Sequence, residues 1–393
     1  MSTVQQKDPA YLDNNATTRV APEVVEAMMP YFSEKYGNPS SMHRFGGTVM
    51  RDVEEARRKI AALINCEPAE IIFTSCGTES DNAAIFGAVE ALGAGATVIT
   101  TKVEHPAVLQ PCRELREHGY EVVEIGVSRD GSLAWDEYET ALAAPGKKFV
   151  SMMWANNETG VVFPIARAAE KAREAGAVFH TDAVQAVGKL AEVDMSRVPV
   201  SMLSLSGHKL HAPKGVGALF IRRGVRIKPL MRGGHQERGL RAGTENTPYI
   251  VGLGRAAELA QAELAGDEMA RIKRLRDRLQ EGLLKLPDAS LNGGAEPRLP
   301  NTLNVGFSYI EGEAMLLHLS HAGICASSGS ACTSGSLEPS HVIRAMGVPF
   351  TAAHGSLRFS FSRYNTDDDV DRVLAVMPGI VTKLRAMSPF VQA

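Results

Sequence analysis

The chain has 393 residues, of which 44% are hydrophobic and 22% charged, and its formal net charge is −3. A charge this close to zero gives no basic field that would attract nucleic acid or an anionic membrane surface. No run of residues approaches the ~20 apolar positions that a membrane-spanning helix needs. The five cysteines are odd in number and lack the spacing of metal ligands. We therefore expect no disulfide framework, no metal site, and reduced thiols in a cytoplasmic protein.

Strands and helices alternate along the first half of the chain. After two helical patterns at 22–34 and 48–64, β-rich runs and helical patterns follow each other at regular spacing. This alternation predicts an α/β fold with a mostly parallel sheet and helices on both faces. The predicted strands are 70–74, 96–101, 121–126, 148–154, 177–181 and 202–205, and the predicted helices between them are 79–92, 107–118, 135–144 and 164–175.

The first strand of this series leads into a turn that is suited to an anion. Residues 75–81 (SCGTESD) join strand 70–74 to helix 79–92 and contain Gly77 and Thr78. Free backbone N–H groups and the helix dipole both favour a negative charge at such a position. The segment therefore indicates either a phosphate site or an ordinary capped helix.

Four strands are followed by polar side chains, at the edge of the sheet where ligands of α/β proteins collect. His105, Asn157, Asp182 and Lys209 each follow a different predicted strand. A strand-end aspartate and a strand-end lysine together suggest pyridoxal phosphate. Lysine forms a Schiff base with this cofactor, and aspartate keeps its ring nitrogen protonated, so that the ring acts as an electron sink. A solvated surface lysine is the alternative for Lys209 taken alone, and a structural histidine is the alternative for His105.

The C-terminal part of the chain has a different character. Residues 231–246 are glycine-rich, basic and polar, which favours a loop that touches phosphate or a partner subunit over a plain surface loop. A long helical pattern at 249–285, with a break at Gly266-Asp267, is typical of a helix that bridges two domains. Beyond it we predict a smaller α+β unit with strands at 301–307, 324–327 and 356–361 and helices at 312–321, 339–346 and 366–386.

A second reactive element is Cys332, which lies in a segment of small residues (SSGSACTSGS, 327–336). Buried structural cysteines normally have apolar neighbours. The composition around Cys332 therefore predicts an exposed, nucleophilic thiol on a mobile loop. Cys325, at the end of a short strand, is expected to be packed instead.

Nine motifs, spread over nearly the whole chain, resemble those of the cysteine desulfurases, in the class-V aminotransferase group of fold-type-I pyridoxal phosphate enzymes. They are LDNNATT (12–18), TESDN (78–82), EHPAV (104–108), NNETG (156–160), HTDAVQAVGK (180–189), SGHKLHAPKGVG (206–217), GGHQERGLRAGTEN (233–246), SSGSACTSGSLEPSH (327–341) and LRFSFSRY (357–364). The cysteine segment is similar to the class with a long, flexible loop. Within that class the chain is most similar to the nitrogen-fixation (NifS) branch, with the housekeeping (IscS) branch as its close neighbour.

The resemblance implies two domains. Residues 14–258 would form a large cofactor-binding domain around a mainly parallel, seven-stranded sheet flanked by helices. Residues 1–13 and 259–393 would form a smaller α+β domain that carries the mobile cysteine loop, at about 326–338.

The resemblance also implies roles around the cofactor ring. Lys209 would form the Schiff base and then move the substrate's Cα proton as general base and acid. Asp182 would pair with the pyridinium nitrogen, and Gln185 would hydrogen-bond the ring oxygen O3′. His105 would stack on the ring and take part in proton transfers.

The remaining site residues would hold the charged ends of the bound molecules. The phosphate would be bound by Gly77, Thr78, Ser206, His208 and Thr244, the last of them reaching over from a second subunit. The substrate carboxylate would be bound bidentately by Arg358, with help from Asn157, which also borders the cofactor, and from Asn14 or Asn15. A residue supplied by a second subunit implies a homodimer with shared active sites.

The implied reaction converts L-cysteine to L-alanine. Cys332 would take the substrate sulfur as a persulfide and carry it to an iron–sulfur scaffold protein, which in the NifS branch would feed nitrogenase maturation. The alternatives are a class-V aminotransferase, which would need no Cys332 on a mobile loop, a selenocysteine lyase on the same machinery, and a non-catalytic subunit that kept the fold.

Overall fold

A large central sheet and a smaller sheet contain most of the strands. The computed structural model describes residues 8–294, 296–328 and 339–388. The strands are β1 (Ala10–Tyr11), β2 (Ile71–Thr74), β3 (Thr97–Thr101), β4 (Val122–Ile125), β5 (Lys148–Ser151), β6 (Val178–Asp182), β7 (Met202–Ser206), β8 (Gly217–Ile221), β9 (Ala289–Leu291), β10 (Thr302–Phe307), β11 (Ile324–Cys325) and β12 (Ser356–Ser360).

Helices connect and cover these strands. They are α1 (Pro22–Met28), α2 (Pro30–Ser33), α3 (Arg44–Leu63), α4 (Gly77–Leu92), α5 (Pro106–Glu117), α6 (Trp135–Ala143), α7 (Ile165–Glu174), α8 (Thr247–Ala265), α9 (Glu268–Leu283), α10 (Gly312–His321), α11 (His341–Ala345), α12 (Phe350–Ala353) and α13 (Asp367–Ala386). Short 3₁₀ turns lie at Pro68–Glu70, Gly207–Lys209 and Gln236–Gly239.

The central sheet has seven strands in the described part of the chain, in the order β2-β8-β7-β6-β5-β3-β4. β8 runs antiparallel to both of its neighbours, and the other neighbouring strands are parallel. This confirms the α/β fold with a mainly parallel, seven-stranded sheet. β8 is not among the strands predicted from the sequence. Its sequence, GALFI, directly follows a glycine-containing segment that is typical of a loop. Its residues are all buried, since it lies between β2 and β7.

Side chains of the central sheet alternate between two apolar cores, one on each face. In β2, Ile71 and Phe73 join a core that includes residues of α3 and α8, whereas Ile72 joins a core that includes residues of α4 and α5. Both faces are therefore covered by helices. The positions left open to a ligand lie at the strand ends.

Two predicted helical patterns are divided in the structure. The pattern at 22–34 becomes α1 and α2, because Pro30 has no backbone N–H to continue the ladder of hydrogen bonds. The pattern at 249–285 breaks at Gly266-Asp267, as the sequence predicts, into α8 and α9.

The smaller sheet has the order β12-β10-β9 and is antiparallel. Its apolar core includes residues of α9, α10 and α13 together with Ala10 and Leu12 from the N-terminal segment. β1 pairs in parallel with β11. In contrast, Val342 and Ile343 of α11 pack in the core of the central sheet. The domain boundaries 1–13, 14–258 and 259–393 stay a prediction.

Candidate active site

A cavity of about 540 Å³ lies at the carboxyl ends of the central strands. Asp182 and Ser206, the last residues of β6 and β7, form part of its wall. The predicted site residues that line it are Asn15, Gly77, Thr78, His105, Asn157, Asp182, Gln185, Ser206, His208, Lys209 and Arg358. Residues that are far apart in the sequence thus meet in one place.

The amine of Lys209 is held against the N-terminal loop. Lys209 ends the 3₁₀ turn that follows β7. Its Nζ donates to the carbonyl oxygens of Asn15 at 2.5 Å and Ala16 at 2.7 Å. Because Lys209 lines the cavity, it is not a solvated surface lysine.

Asp182 places a buried carboxylate in the same cavity. It is 7% exposed, and its Oδ1 accepts a hydrogen bond from Val184 N at 2.9 Å. Burial raises the pKa of Asp182 to about 6, against the lowering effects of the Val184 N–H and the charge of Lys209. A buried carboxylate needs a donor or a cation as its partner. A protonated ring nitrogen meets that need.

His105 is an uncharged imidazole in the cavity wall. It caps α5, and its Nδ1 accepts a hydrogen bond from Ala107 N at 3.1 Å. Because a backbone N–H only donates, neutral His105 carries its proton on Nε2. Burial, and then the charge of Lys209, lower the pKa of His105 to about 4.

The start of α4 forms a corner that fits an anion. A Cβ on Gly77 would lie 2.8 Å from Val184 Cγ2, so this position requires glycine. Ser206 Oγ is buried close by and has no hydrogen-bond partner within the described residues. Backbone N–H groups at a helix start and an unpaired hydroxyl match the oxygens of a phosphate. The corner thus fits a phosphate, and α4 is also capped in the ordinary way, since Cys76 Sγ accepts a hydrogen bond from Glu79 N at 3.4 Å.

Arg358 brings a buried positive charge to the cavity from β12. The residue is 3% exposed. Its Nη2 donates to Asp13 Oδ1 at 2.8 Å, and its Nη1 donates to the carbonyl oxygen of Asn157 at 3.1 Å. Nε is buried without a hydrogen-bond partner in the part of the chain that the structure describes. That donor matches a substrate carboxylate.

A buried polar network supports the cavity floor. His180 Nδ1 lies 2.9 Å from Ser151 Oγ, and its Nε2 lies 2.9 Å from Ser204 Oγ. Burial lowers the pKa of His180 to about 3, so the ring is neutral. Burial, reinforced by the charge of Asp182, raises the pKa of Asp81. The raised pKa of Asp81 favours its uncharged form and so reduces its repulsion of the carboxylate of Asp182.

Sequence reasoning missed Glu158 and the residues that follow the cysteine segment. Ser340 Oγ donates to Glu158 Oε2 at 2.5 Å, and His341 Nε2 donates to the carbonyl oxygen of Glu104 at 2.8 Å. Glu158, Ser340 and His341 all line the cavity. Their motifs, NNETG and LEPSH, contribute to the family resemblance, but nothing local indicates that the two motifs meet.

Two predicted site residues do not line this cavity. Asn14 Nδ2 donates to the carbonyl oxygen of Ser360 at 2.8 Å and to Asn365 Oδ1 at 3.2 Å, so Asn15 and not Asn14 faces the site. Thr244 is exposed and lies outside the cavity wall. Cys332 lies outside the described residues.

Residues 8–294, 296–328 and 339–388 contain neither a metal-ligand cluster nor a membrane-spanning helix. These ranges contain no group of three or more His, Cys, Asp or Glu residues arranged to hold a metal ion. None of their helices has the length and apolar character needed to cross a membrane. Cys66, Cys76, Cys112 and Cys325 are free thiols.

These groups fit pyridoxal phosphate. Lys209 would supply the amine, Asp182 would supply a carboxylate for the ring nitrogen, and the corner of Gly77 and Ser206 would receive the phosphate. A lysine–aspartate pair at the strand ends of a mainly parallel sheet, beside an anion-binding helix start, defines a fold-type-I pyridoxal phosphate enzyme.

Comparisons with known proteins identify the family within this class of enzymes. The family model for class-V aminotransferases matches residues 10–373. A cysteine desulfurase of Gluconacetobacter diazotrophicus is 60% identical over 383 residues, covering 97% of this chain and 95% of the relative. The cysteine desulfurase NifS of Azotobacter vinelandii is 55% identical over 382 residues, covering 97% of this chain and 94% of the relative. A solved structure described as a NifS-like protein superposes with a TM-score of 0.89 at 39% identity, covering 96% of this chain and 100% of that one.

The chain therefore belongs to the class-V aminotransferase family and, within it, to the cysteine desulfurases, whose cofactor is pyridoxal phosphate.

Proposed function

We propose that this protein takes the sulfur from L-cysteine, releases L-alanine and keeps the sulfur as a persulfide on Cys332. The observation that carries the proposal is the meeting of Lys209, Asp182, His105 and Arg358 in one cavity. In the overall step the substrate's Cβ–Sγ bond breaks and a bond forms between the substrate sulfur and Cys332 Sγ. The electron pair of the broken bond stays on carbon, which takes up a proton. The step therefore needs no external oxidant or reductant.

Pyridoxal phosphate, when bound, supplies the electron sink that makes the Cα–H and Cβ–S bonds of the substrate labile. Lys209 would hold the cofactor covalently through Nζ. Asp182 would keep the ring nitrogen protonated, and Gln185 would donate to the ring oxygen O3′. The phosphate would be bound by Gly77, Thr78, Ser206 and His208.

Substrate binding falls to Arg358 and its neighbours. The unpaired Nε–H and the neighbouring Nη N–H on the same edge of the guanidinium would receive the carboxylate of cysteine. Asp13 and the carbonyl of Asn157 fix the guanidinium on its other edges, so little side-chain freedom is lost on binding. Asn15 and the side chain of Asn157 would complete the pocket. Asn14 would stabilise the N-terminal loop that carries Asn15, because its side chain donates to the carbonyl oxygen of Ser360 in β12.

Two groups would handle protons in the cavity. Once displaced by the substrate amine, Lys209 Nζ would take the proton from the substrate's Cα and return it later in the cycle. His105, neutral at physiological pH, would donate from Nε2 and would pack against the ring face. Glu158, when ionised, would offset part of the positive charge of Arg358 in the cavity wall.

The protein's surroundings are part of the proposal. We propose a cytoplasmic homodimer in which Thr244 of one subunit completes the phosphate site of the other, because Thr244 is exposed and outside its own cavity. The sulfur acceptor would be an iron–sulfur scaffold protein, and the 55% identity to the Azotobacter vinelandii NifS protein supports a role in nitrogenase maturation. Residues 14–258 would form the large domain, with 1–13 and 259–393 forming the small one.

Alanine release from L-cysteine tests the function. Purified wild type, Cys332→Ser and the matched control Cys325→Ser are incubated with L-cysteine, and both alanine and protein-bound persulfide are measured. We expect both products from the wild type and the control, and neither from Cys332→Ser. Equal activity in all three proteins, or turnover that requires an added keto acid, would favour an aminotransferase instead.

A further inference from the structure

A chain of hydrogen bonds joins a second lysine to the cofactor site. Lys189 Nζ donates to Gln185 Oε1 at 3.0 Å and to the carbonyl oxygen of Gln185 at 3.1 Å. Gln185 Nε2 in turn donates to the carbonyl oxygen of Asn15 at 3.0 Å. The same carbonyl accepts the hydrogen bond from Lys209 Nζ at 2.5 Å. Lys189 is thus linked to Lys209 through one glutamine side chain and one peptide group.

This arrangement determines which end of the Gln185 amide faces the cavity. The Asn15 carbonyl only accepts, so the amide nitrogen Nε2 faces it and the amide oxygen Oε1 faces the donors of Lys189. The amide nitrogen Nε2 is then turned toward Asn15 and the cavity that Gln185 lines. Nε2 has two N–H groups, and the Asn15 carbonyl uses one of them. The second is left to donate to a ligand.

We propose that Lys189 is a positioning residue that holds the Gln185 amide so that it presents an N–H donor, and not its carbonyl oxygen, to the bound cofactor. The inference rests on the proposed function, in which Gln185 contacts the ring oxygen. Without Lys189 only the Asn15 carbonyl holds the amide in this orientation, so a half-turn that exchanges its oxygen and nitrogen becomes less costly. An oxygen facing the ring oxygen would repel it.

Direct electrostatic action of Lys189 on Lys209 is the competing explanation. The two lysines share the wall of a second cavity of about 30 Å³. Burial, and then the charge of Lys209, lower the pKa of Lys189 to about 7, and a neutral amine still donates through its N–H groups. The titratable and charged groups that line this second cavity with the two lysines are His211, Glu263 and Arg363. His105, Asp182 and His208 line the larger cavity with Lys209.

A double-mutant cycle on the holoenzyme separates the two explanations. Lys189→Met, Gln185→Ala and the double variant are titrated, and the pH midpoint of the cofactor's visible absorbance is recorded as a report of the proton on Lys209 Nζ. Losing an N–H donor leaves the ring oxygen a stronger acceptor for that proton, so the midpoint rises. We expect Lys189→Met to raise it by about 0.5 to 1 pH unit in the wild-type background and by less than half as much in the Gln185→Ala background.

Two controls accompany the cycle. Lys189→Arg keeps a donor and should restore a midpoint near that of the wild type, and Lys285→Met, an exposed lysine, should leave it unchanged. Circular dichroism melting confirms that each variant folds, and Lys189→Ala replaces Lys189→Met in the cycle if the latter does not. Equal shifts in both backgrounds, or no shift in either, would overturn the inference. A wild-type protein without any visible band would instead refute the proposed cofactor chemistry.

Discussion

The two halves of the active site are built in different ways. The cofactor half stands on adjacent parallel strands, since Asp182 ends β6, Lys209 follows β7, and Asp182 pairs with Ser204 in the register of the sheet. The substrate half is assembled across sheets. Its key contacts, from Arg358 to Asp13 and Asn157 and from Ser340 to Glu158, join residues that lie 182 to 345 positions apart in the sequence.

The difference implies that the halves can be perturbed separately. The cofactor half depends on one sheet, and helices cover both of its faces. The substrate half depends on how β12 and α11 pack against the central sheet. Changes in the first half should alter the cofactor's binding and spectrum, whereas changes in the second should alter binding of cysteine while the spectrum persists.

The largest effect is expected in the cofactor half. Lys209→Ala removes the amine that holds the cofactor, so alanine production and the covalent cofactor band should both be lost. Absorbance spectroscopy and alanine assays measure these. The matched control Lys214→Ala changes an exposed lysine five positions away and should keep both. Turnover by Lys209→Ala would contradict the role given to the lysine.

The substrate half should respond most strongly to Arg358→Ala. Truncation removes the carboxylate-binding donors and leaves Asp13 without its ion-pair partner, so L-cysteine binding should weaken by about 2–5 kcal/mol. The visible band of the bound cofactor should remain. Titration of that band with L-cysteine gives the affinity. Arg358→Lys, which keeps the charge but not the fork, should recover only part of the loss, and an affinity unchanged in Arg358→Ala would separate this residue from the substrate.

Glu158 makes the substrate half sensitive to pH. Burial raises the pKa of Glu158 from 4.5 to about 7, against the lowering effects of the Ser340 hydroxyl and the charge of Arg358. The native state thus holds this proton more tightly than the unfolded chain does. The contribution of Glu158 to the free energy of unfolding is therefore full below pH 4.5 and falls as pH rises to about 7.

Glu158→Gln should abolish the fall in the free energy of unfolding that the ionisation of Glu158 causes as pH rises. Relative to the wild type, the variant should gain about 1–3 kcal/mol between pH 5 and pH 8. Urea unfolding at the two pH values measures the gain. The exposed Glu139→Gln serves as control and should show the same offset at both. A pH-independent offset for Glu158→Gln would mean that this carboxyl group titrates normally.

An effect of similar size is expected at the phosphate corner. Gly77→Ala introduces a Cβ 2.8 Å from Val184 Cγ2 and should weaken cofactor binding by about 1–3 kcal/mol through displacement of the helix start. Equilibrium dialysis against pyridoxal phosphate measures the loss. Gly47→Ala in α3, where a Cβ meets no atom within 4 Å, is the matched control. Unchanged affinity in both variants would place the phosphate elsewhere.

The same contrast explains which features of the fold and the site could be predicted from the sequence. The meeting of Asp182 and Lys209 in one cavity could be predicted from local pattern, because strand ends in a parallel sheet converge on one edge. The choice between Asn14 and Asn15 could not, because it depends on the hydrogen bonds of Asn14 to Ser360 and Asn365 at the other end of the chain. Glu158 and Ser340 were not predicted for the same reason, because their contact joins residues 182 positions apart in the sequence. Strand β8 was not predicted, because a short apolar run after glycines does not indicate that it pairs with β2 and β7.

The central claim is that Lys209 carries the cofactor at the sheet edge. Borohydride reduction of the holoprotein fixes the lysine-bound cofactor, and mass spectrometry of the digested protein locates it. The account predicts a phosphopyridoxyl group on the peptide that contains Lys209. A label on Lys189 or Lys214, or none on any lysine, would contradict it.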